Sequence, residues 1–382
     1  MTTAQRGIVM LIQAVPARIG SCRKLIRRLI WPLAVLVAVP ALLAGVSAPA
    51  VGALSARQVP ALPSYCQSGG SGLWQHLASC GWPGARNTGP NLANCPDHSL
   101  APVGNGTTPI VLDKANQVVT CEKLLGPVNI RAKHVTITNS MVEPKRGQGA
   151  LASAAVTIDF GASAIIDDVT IDGDHAVHAC IWHQGLRMVV KALNCYGAHD
   201  GIFTWNPTNR TSTEGNDFSI SNSYFHGFIN PTANAHDDGY QTEGSDNGLV
   251  HHNTFRMTTN STSAVAIWDS RANANDITVS DNLIAGGGFS VYAEDYSPRD
   301  STPRDGFAVG GFSVTNIVFD DNSFSTILSG CVGKYGIWFT RPAWAPYFGG
   351  PTDGWNRVGN VVLETGQPVD NGNPYNSRQL CG

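Results

Sequence analysis

The chain has 382 residues, of which 14% are charged, with a formal net charge of −3, 41 glycines and nine cysteines. Six of its 25 basic residues and none of its 28 acidic ones fall within residues 1–53, so the remainder is distinctly acidic. That balance excludes nucleic acid as a partner, because phosphate binding needs clustered Lys and Arg.

Residues 1–53 read as an export signal. Arg6, Arg18, Arg23, Lys24, Arg27 and Arg28 come first, an apolar run from Leu29 to about Val46 follows, and small residues close it at Ser47–Ala50. Met10 is an alternative start for so long a basic region. The apolar run is near the minimum for a membrane span, which leaves an uncleaved anchor as the rival reading. With the signal removed, the expected product is secreted or held in the cell envelope, without a membrane span, and monomeric. It would keep eight cysteines, an even count that favours disulfides in an exported chain. Eight cysteines allow 105 pairings. The expected grouping is Cys66, Cys80, Cys95 and Cys121 at the N-terminal end, Cys180 with Cys195, and Cys331 with Cys381.

Residues 54–120 are expected to form an N-terminal cap and first coil, with a short helix at Gly72–Ala78. From 121 to 366 a phrase of alternating apolar residues ending in Asn or Asp recurs. It ends at Asn139, Asp168, Asn194, Asn222, Asn253, Asn282, Asn322 and Asn360, with intervals of 26 to 31 residues and then 40 and 38. Period-two alternation means strands. A unit this short cannot bury a face alone and must stack on its neighbours. A second strand set lies between: Cys180–His183, Ile202–Trp205, Tyr240–Glu243, Val265–Trp268 and Val291–Glu294. The pattern predicts an all-β, single-stranded parallel β-helix, with residues 367–382 as a C-terminal tail or cap. A β-sandwich is the alternative, but it carries no such long-range self-similarity. The recurring Asn is expected to stack at a tight bend, where its side chain bonds backbone groups and tolerates left-handed φ.

The Asn-ending repeats, the phrase Gly81-Trp-Pro-Gly-Ala-Arg-Asn-Thr-Gly89 and the phrase His236-Asp-Asp-Gly-Tyr-Gln241 resemble secreted right-handed parallel β-helix proteins of actinobacteria, within the pectate-lyase-like group. The resemblance covers roughly residues 80–370. It implies the fold. The activities of the wider group, which include polysaccharide lyases, polygalacturonase-type hydrolases, epimerases and phage spikes, stay open, because fold does not settle function.

One phrase occurs twice: Ala198-His-Asp-Gly-Ile202 and Ala235-His-Asp-Asp-Gly-Tyr240. In a coiled parallel sheet, equivalent positions of successive coils lie about 4.8 Å apart. The repetition therefore brings Asp200, Asp237 and Asp238 to one edge of the sheet, beside His178, His199 and His236. Aligning the second strand set on Ile181, Ile202, Tyr240, Val265 and Val291 sends two columns outward. One holds Trp182, Phe203, Gln241, Ala266 and Tyr292, the other Gln184, Trp205, Glu243, Trp268 and Glu294. Aromatic rings beside amides and carboxylates suit a sugar chain. A covered satellite core under the loops after 205, 226 and 295 is the competing reading.

The catalytic candidates are Asp200, Asp237, Asp238, His199 and His236. Trp182, Phe203, Trp205, Gln241, Glu243, Trp268, Tyr292 and Glu294 are candidates for binding substrate. Glycoside hydrolysis needs one protonated and one ionised carboxyl, and crowded aspartates supply that pair. Polygalacturonase-type hydrolases show one Asp followed a coil later by paired Asp, and Asp200 then Asp237-Asp238 is similar. The chain departs from them in lacking Gly-His-Gly on the next coil and Arg-Ile-Lys after it. A polysaccharide lyase is the second reading, with Ca2+ on Asp200, Asp237 and Asp238 and His199 or His236 as base. Arg271 is the nearest basic residue for that chemistry. The third reading is a glycan-binding or structural solenoid, in which Asp-Gly merely turns corners. No cofactor is required under the hydrolase reading.

Overall fold

The computed structural model describes residues 62–67, 69–145, 152–205, 215–229, 236–294, 313–339 and 355–369. The expected export signal, Cys381 and all but three residues of the expected tail lie outside them. The chain coils as a parallel β-helix. A nine-stranded sheet runs from Ile110–Leu112 to Gly336–Phe339, and a seventeen-stranded sheet forms the other two faces of the coil. Every pairing between named strands is parallel, from Ala101–Gly104 on Glu122–Leu125 onward. The interior holds stacked apolar columns such as Ile181, Ile202, Val265 and Val291, all fully buried. Cys180 bonds Cys195 across that interior, and Cys66–Cys80 and Cys95–Cys121 close the N-terminal segment. Cys331 is also disulfide-bonded.

The bend in the larger sheet divides the work expected of one Asn column between two adjacent positions. Asn139, Asp168, Ala192, Asn222, His252, Asp281, Asp321 and Gly359 have positive φ. The next residue in each coil points inward, and there Asn253, Asn282, Asn322 and Asn360 are fully buried. Each Asn accepts the backbone N–H of its counterpart one coil earlier, and its own amide donates to a carbonyl. Ser140 and Ser223 accept the same N–H in earlier coils. Asn194 belongs to neither column, because Ala192 already holds the left-handed position.

The short helix is present at Ser71–Gln75, followed by a 3-10 turn at Leu77–Cys80. Its segment runs along the flank of the solenoid, against the order of the coils. A Cβ at Gly69 would touch Leu363, Trp74 Nε1 donates to Ser325 Oγ at 3.1 Å, and Trp82 stacks on His252. Gly89 N–H then bonds Ala192 O, Asn91 N–H bonds Asn139, and Cys95 reaches Cys121 in the first coil. Leu73, Leu77, Tyr224 and Leu283 are buried beneath it as a second core. At the far end the chain folds back, with Val361 bridging Pro368. No helix among the described residues is long and apolar enough to cross a membrane.

Candidate active site

The expected strand alignment is the observed one. Ile202 pairs with Ile181 and Tyr240, Tyr240 with Val265, and Val265 with Val291. Trp182, Phe203, Gln241, Ala266 and Tyr292 therefore stand in one column, and Trp268 pairs with Glu294 in the other. Asp200 and Asp238 occupy equivalent positions, each the first residue of its strand, Asp200–Thr204 and Asp238–Thr242.

The Asp-Gly pairs are not turns. Gly201 and Gly239 lie within the strands and are absent from the positive-φ glycines. They are small because the backbone of the next coil and phenylalanines from the opposite side of the coil leave no room for a side chain, the nearest obstacle at Gly201 being Gly239 O. A Cβ at Gly239 would lie 2.5 Å from a Phe255 ring carbon and 2.6 Å from Ala264 O, and one at Gly201 would lie 2.9 Å from Phe225. Phe225 and Phe255 stack at 4.8 Å.

Asp237 and Asp238 are wholly buried, and Asp200 is partly exposed. Asp238 N–H donates to Asp200 Oδ1 at 2.9 Å, and Ser263 Oγ donates to Asp238 Oδ1. Asp238 Oδ2 and both oxygens of Asp237 have no hydrogen-bond partner among the described residues. Burial pushes the Asp237 carboxyl up to about 7. Burial also carries Asp238 to about 7, against the Ser263 hydrogen bond and with help from the Asp237 charge. Asp200 is raised well above the ordinary carboxylate range, first by burial and then by the Asp238 charge. Ser263 escaped the sequence reading, although its place two residues before Val265 marks it as the counterpart of Asp238.

The histidines divide. His199 is 6% exposed, and its Nδ1 lies 3.3 Å from that of His178. Burial holds His199 below its ordinary pKa, and the charges of His178 and His175 add to this. His236 is exposed and meets Trp268 edge-on at 5.6 Å.

The aromatic columns are less open than alternation suggests. Trp182, Phe203, Trp205 and Tyr292 are partly exposed, whereas Gln241, Glu243 and Trp268 are under a tenth exposed. Trp182 stacks on Trp205 at 5.7 Å, and the Arg271 guanidinium lies 4.5 Å from the Trp205 ring centre. Arg271 also pairs with Glu243, whose carboxyl is nonetheless raised because burial outweighs that pairing. The indole N–H groups of Trp182, Trp205 and Trp268 are buried without a partner among the described residues. Residues 206–214, 230–235 and 295–312, which include the loops considered as covers, lie outside the described residues, as does the Glu294 side chain.

Among the described residues no group of three or more His, Cys, Asp or Glu is arranged to hold a metal ion, the three aspartates included. A groove of about 560 Å³, lined by Arg187, Asp217, Leu249 and Asp276, lies on the larger sheet and does not include Asp200, Asp237 or Asp238. Compared with known proteins, the chain matches no family model, no curated protein sequence and no solved structure.

Proposed function

We propose that this parallel β-helix is a secreted polysaccharide-active protein of the pectate-lyase-like group that hydrolyses glycosidic bonds at Asp200, Asp237 and Asp238. One observation carries the reading: buried polar atoms without partners concentrate on the nine-stranded sheet. They include the Asp237 and Asp238 oxygens and three indole N–H groups. Buried polar groups are otherwise almost always satisfied, and leaving them bare costs free energy. A sugar chain offers what they lack, with hydroxyl oxygens for the indoles and hydroxyl protons for the carboxylates.

The chemistry follows from the same burial. With a pKa of about 7, Asp238 holds its proton into the neutral range and can give it to the departing glycosidic oxygen. Water then bonds to the anomeric carbon and passes a proton to an ionised second carboxyl of the cluster. That role falls to Asp237, which titrates at about 7 and keeps both oxygens bare, rather than to Asp200, which burial and the Asp238 charge hold protonated. The lyase reading asks for a cation to neutralise a substrate carboxylate. Arg271 is the candidate, but Glu243 already balances its charge.

The test is release of reducing ends from a panel of neutral and acidic glycans. Asp238→Asn keeps the shape and removes the acid, and turnover should fall by about 10²–10⁴-fold. Unsaturated, ultraviolet-absorbing products would select the lyase reading. Retention of a glycan without cleavage would select the binding reading.

A further inference from the structure

We propose that His178 and His199 bind one transition-metal ion of the zinc class through their two Nδ1 atoms, at a site distinct from the three aspartates. The two nitrogens are 3.3 Å apart, and their rings stand at 89° with centroids 4.9 Å apart. Two imidazole nitrogens on a tetrahedral zinc, each about 2.0–2.1 Å from the ion, are separated by about 3.3–3.4 Å. The observed spacing therefore suits two ligands of one ion.

Register fixes this geometry. Ala179 pairs with Asp200, so the residues before them, His178 and His199, sit side by side on adjacent coils. Ligands borne on stacked strands are positioned more firmly than ligands on loops. The His199 ring is 6% exposed, while His178 is exposed and leaves one side open to solvent. Because no third side chain completes a metal set among the described residues, water would fill the other positions and the ion would exchange. Two nitrogen donors favour Zn2+, Cu2+ or Ni2+ over Ca2+ and Mg2+, which prefer oxygen. The competing account is a single N–H···N hydrogen bond between the two imidazoles, with no ion bound.

Calorimetric titration of the chelator-stripped, untagged full chain with Zn2+ decides between them. The expected result is saturable binding of one ion per chain. His178→Ala and His199→Gln should each abolish it, and His251→Ala on the larger sheet should retain it. His178 is exposed, so its variant should keep the metal-free melting temperature and circular dichroism of the parent. Absence of saturable binding up to millimolar Zn2+, or its survival in His178→Ala, overturns the proposal. Displacement of the Zn2+ by equimolar Ca2+ also overturns it, because it would assign the ion to carboxylates. The readout is metal binding alone, so it stands or falls independently of glycan cleavage.

Discussion

Asp238 donates its backbone N–H to Asp200 Oδ1 at 2.9 Å, which links the two aspartates through the main chain of one coil and the side chain of the coil before it. Asp238 Oδ1 takes its own hydrogen bond from Ser263 in the coil that follows Asp238. Three consecutive coils are thus chained at one strand position, while Asp238 Oδ2 is left bare. A purely structural aspartate would be expected to satisfy both oxygens.

Burial of these carboxyls should make stability fall with rising pH. In the unfolded chain an aspartate titrates near 3.9, whereas in the folded chain Asp237 and Asp238 titrate at about 7. Between those values the folded chain holds protons that the unfolded chain has lost. The resulting stability is complete below about pH 4 and is lost as pH rises through about 7. A shift of this size corresponds to at most about 4 kcal/mol per group. Asp238→Asn removes its share, so the variant should be more stable than the parent near pH 8 and show a shallower pH dependence. Denaturant unfolding at acidic and alkaline pH measures both, and an unchanged slope would remove Asp238 as the source.

Gly239→Ala should destabilise the chain by about 1–3 kcal/mol, the usual range for overpacking a filled core. The added methyl would lie 2.5 Å from the Phe255 ring and 2.6 Å from Ala264 O. A glycine needed only for a turn would instead be sensitive through its φ, and Gly239 has no positive φ. The companion change Phe255→Leu should recover part of the loss in a double-mutant comparison of melting temperatures, because it removes the ring that the methyl meets.

The coil and its register were legible because strand alternation and repeat spacing are local properties of the chain. Ile181, Ile202, Tyr240, Val265 and Val291 align in the structure as their pattern requires. What alternation could not supply was the third dimension. It places Gln241 and Trp268 on an outer face, but says nothing of the neighbours that leave them under a tenth exposed. It groups Asn194 with Asn253, although one residue of slippage at a bend carries Asn194 to a partly exposed position. Arg271 comes from the coil beyond Glu243 and lies over Trp205, a long-range contact that no spacing rule announces.

The two kinds of Asn should therefore respond differently to substitution. Asn282 accepts from Asn253 N–H and donates to Val250 O and Asn322 Oδ1, all in the interior. Asn282→Ala strands a buried donor and a buried acceptor, at about 1–3 kcal/mol each. Among the described residues the Asn194 side chain bonds His226, at 3.0 Å in a partly exposed setting, so Asn194→Ala should cost less than about 1 kcal/mol. Equal losses in urea titrations would mean that the ladder carries no special share of the stability.

The flanking segment should behave as a clasp whose loss loosens the whole length of the solenoid. It contacts Leu363 near the last coil and Asn139 near the first, and it buries Leu73 and Leu77 against Tyr224 and Leu283. Its N-terminal part can dock only after the coils around Ser325 and Leu363 have formed, whereas Cys95–Cys121 ties its other end to the first coil. That disulfide closes a loop of 26 residues, for which chain entropy predicts a contribution of about 3.5 kcal/mol. Replacing both cysteines by serine should lower stability by about that amount. It should also raise hydrogen exchange at backbone amides of Thr254–Arg256 and Leu283–Ala285, which lie under the segment but far along the chain from the missing bond. A strictly local effect, confined to residues around Cys95 and Cys121, would show that the segment holds its place without the anchor. Trp74→Phe makes the complementary cut at the other end, because it keeps an aromatic ring there and deletes only the 3.1 Å bond to Ser325. Its expected cost of about 1 kcal/mol should add to that of the disulfide variant if the two ends hold independently, and fall short of additivity if release of one end already frees the other.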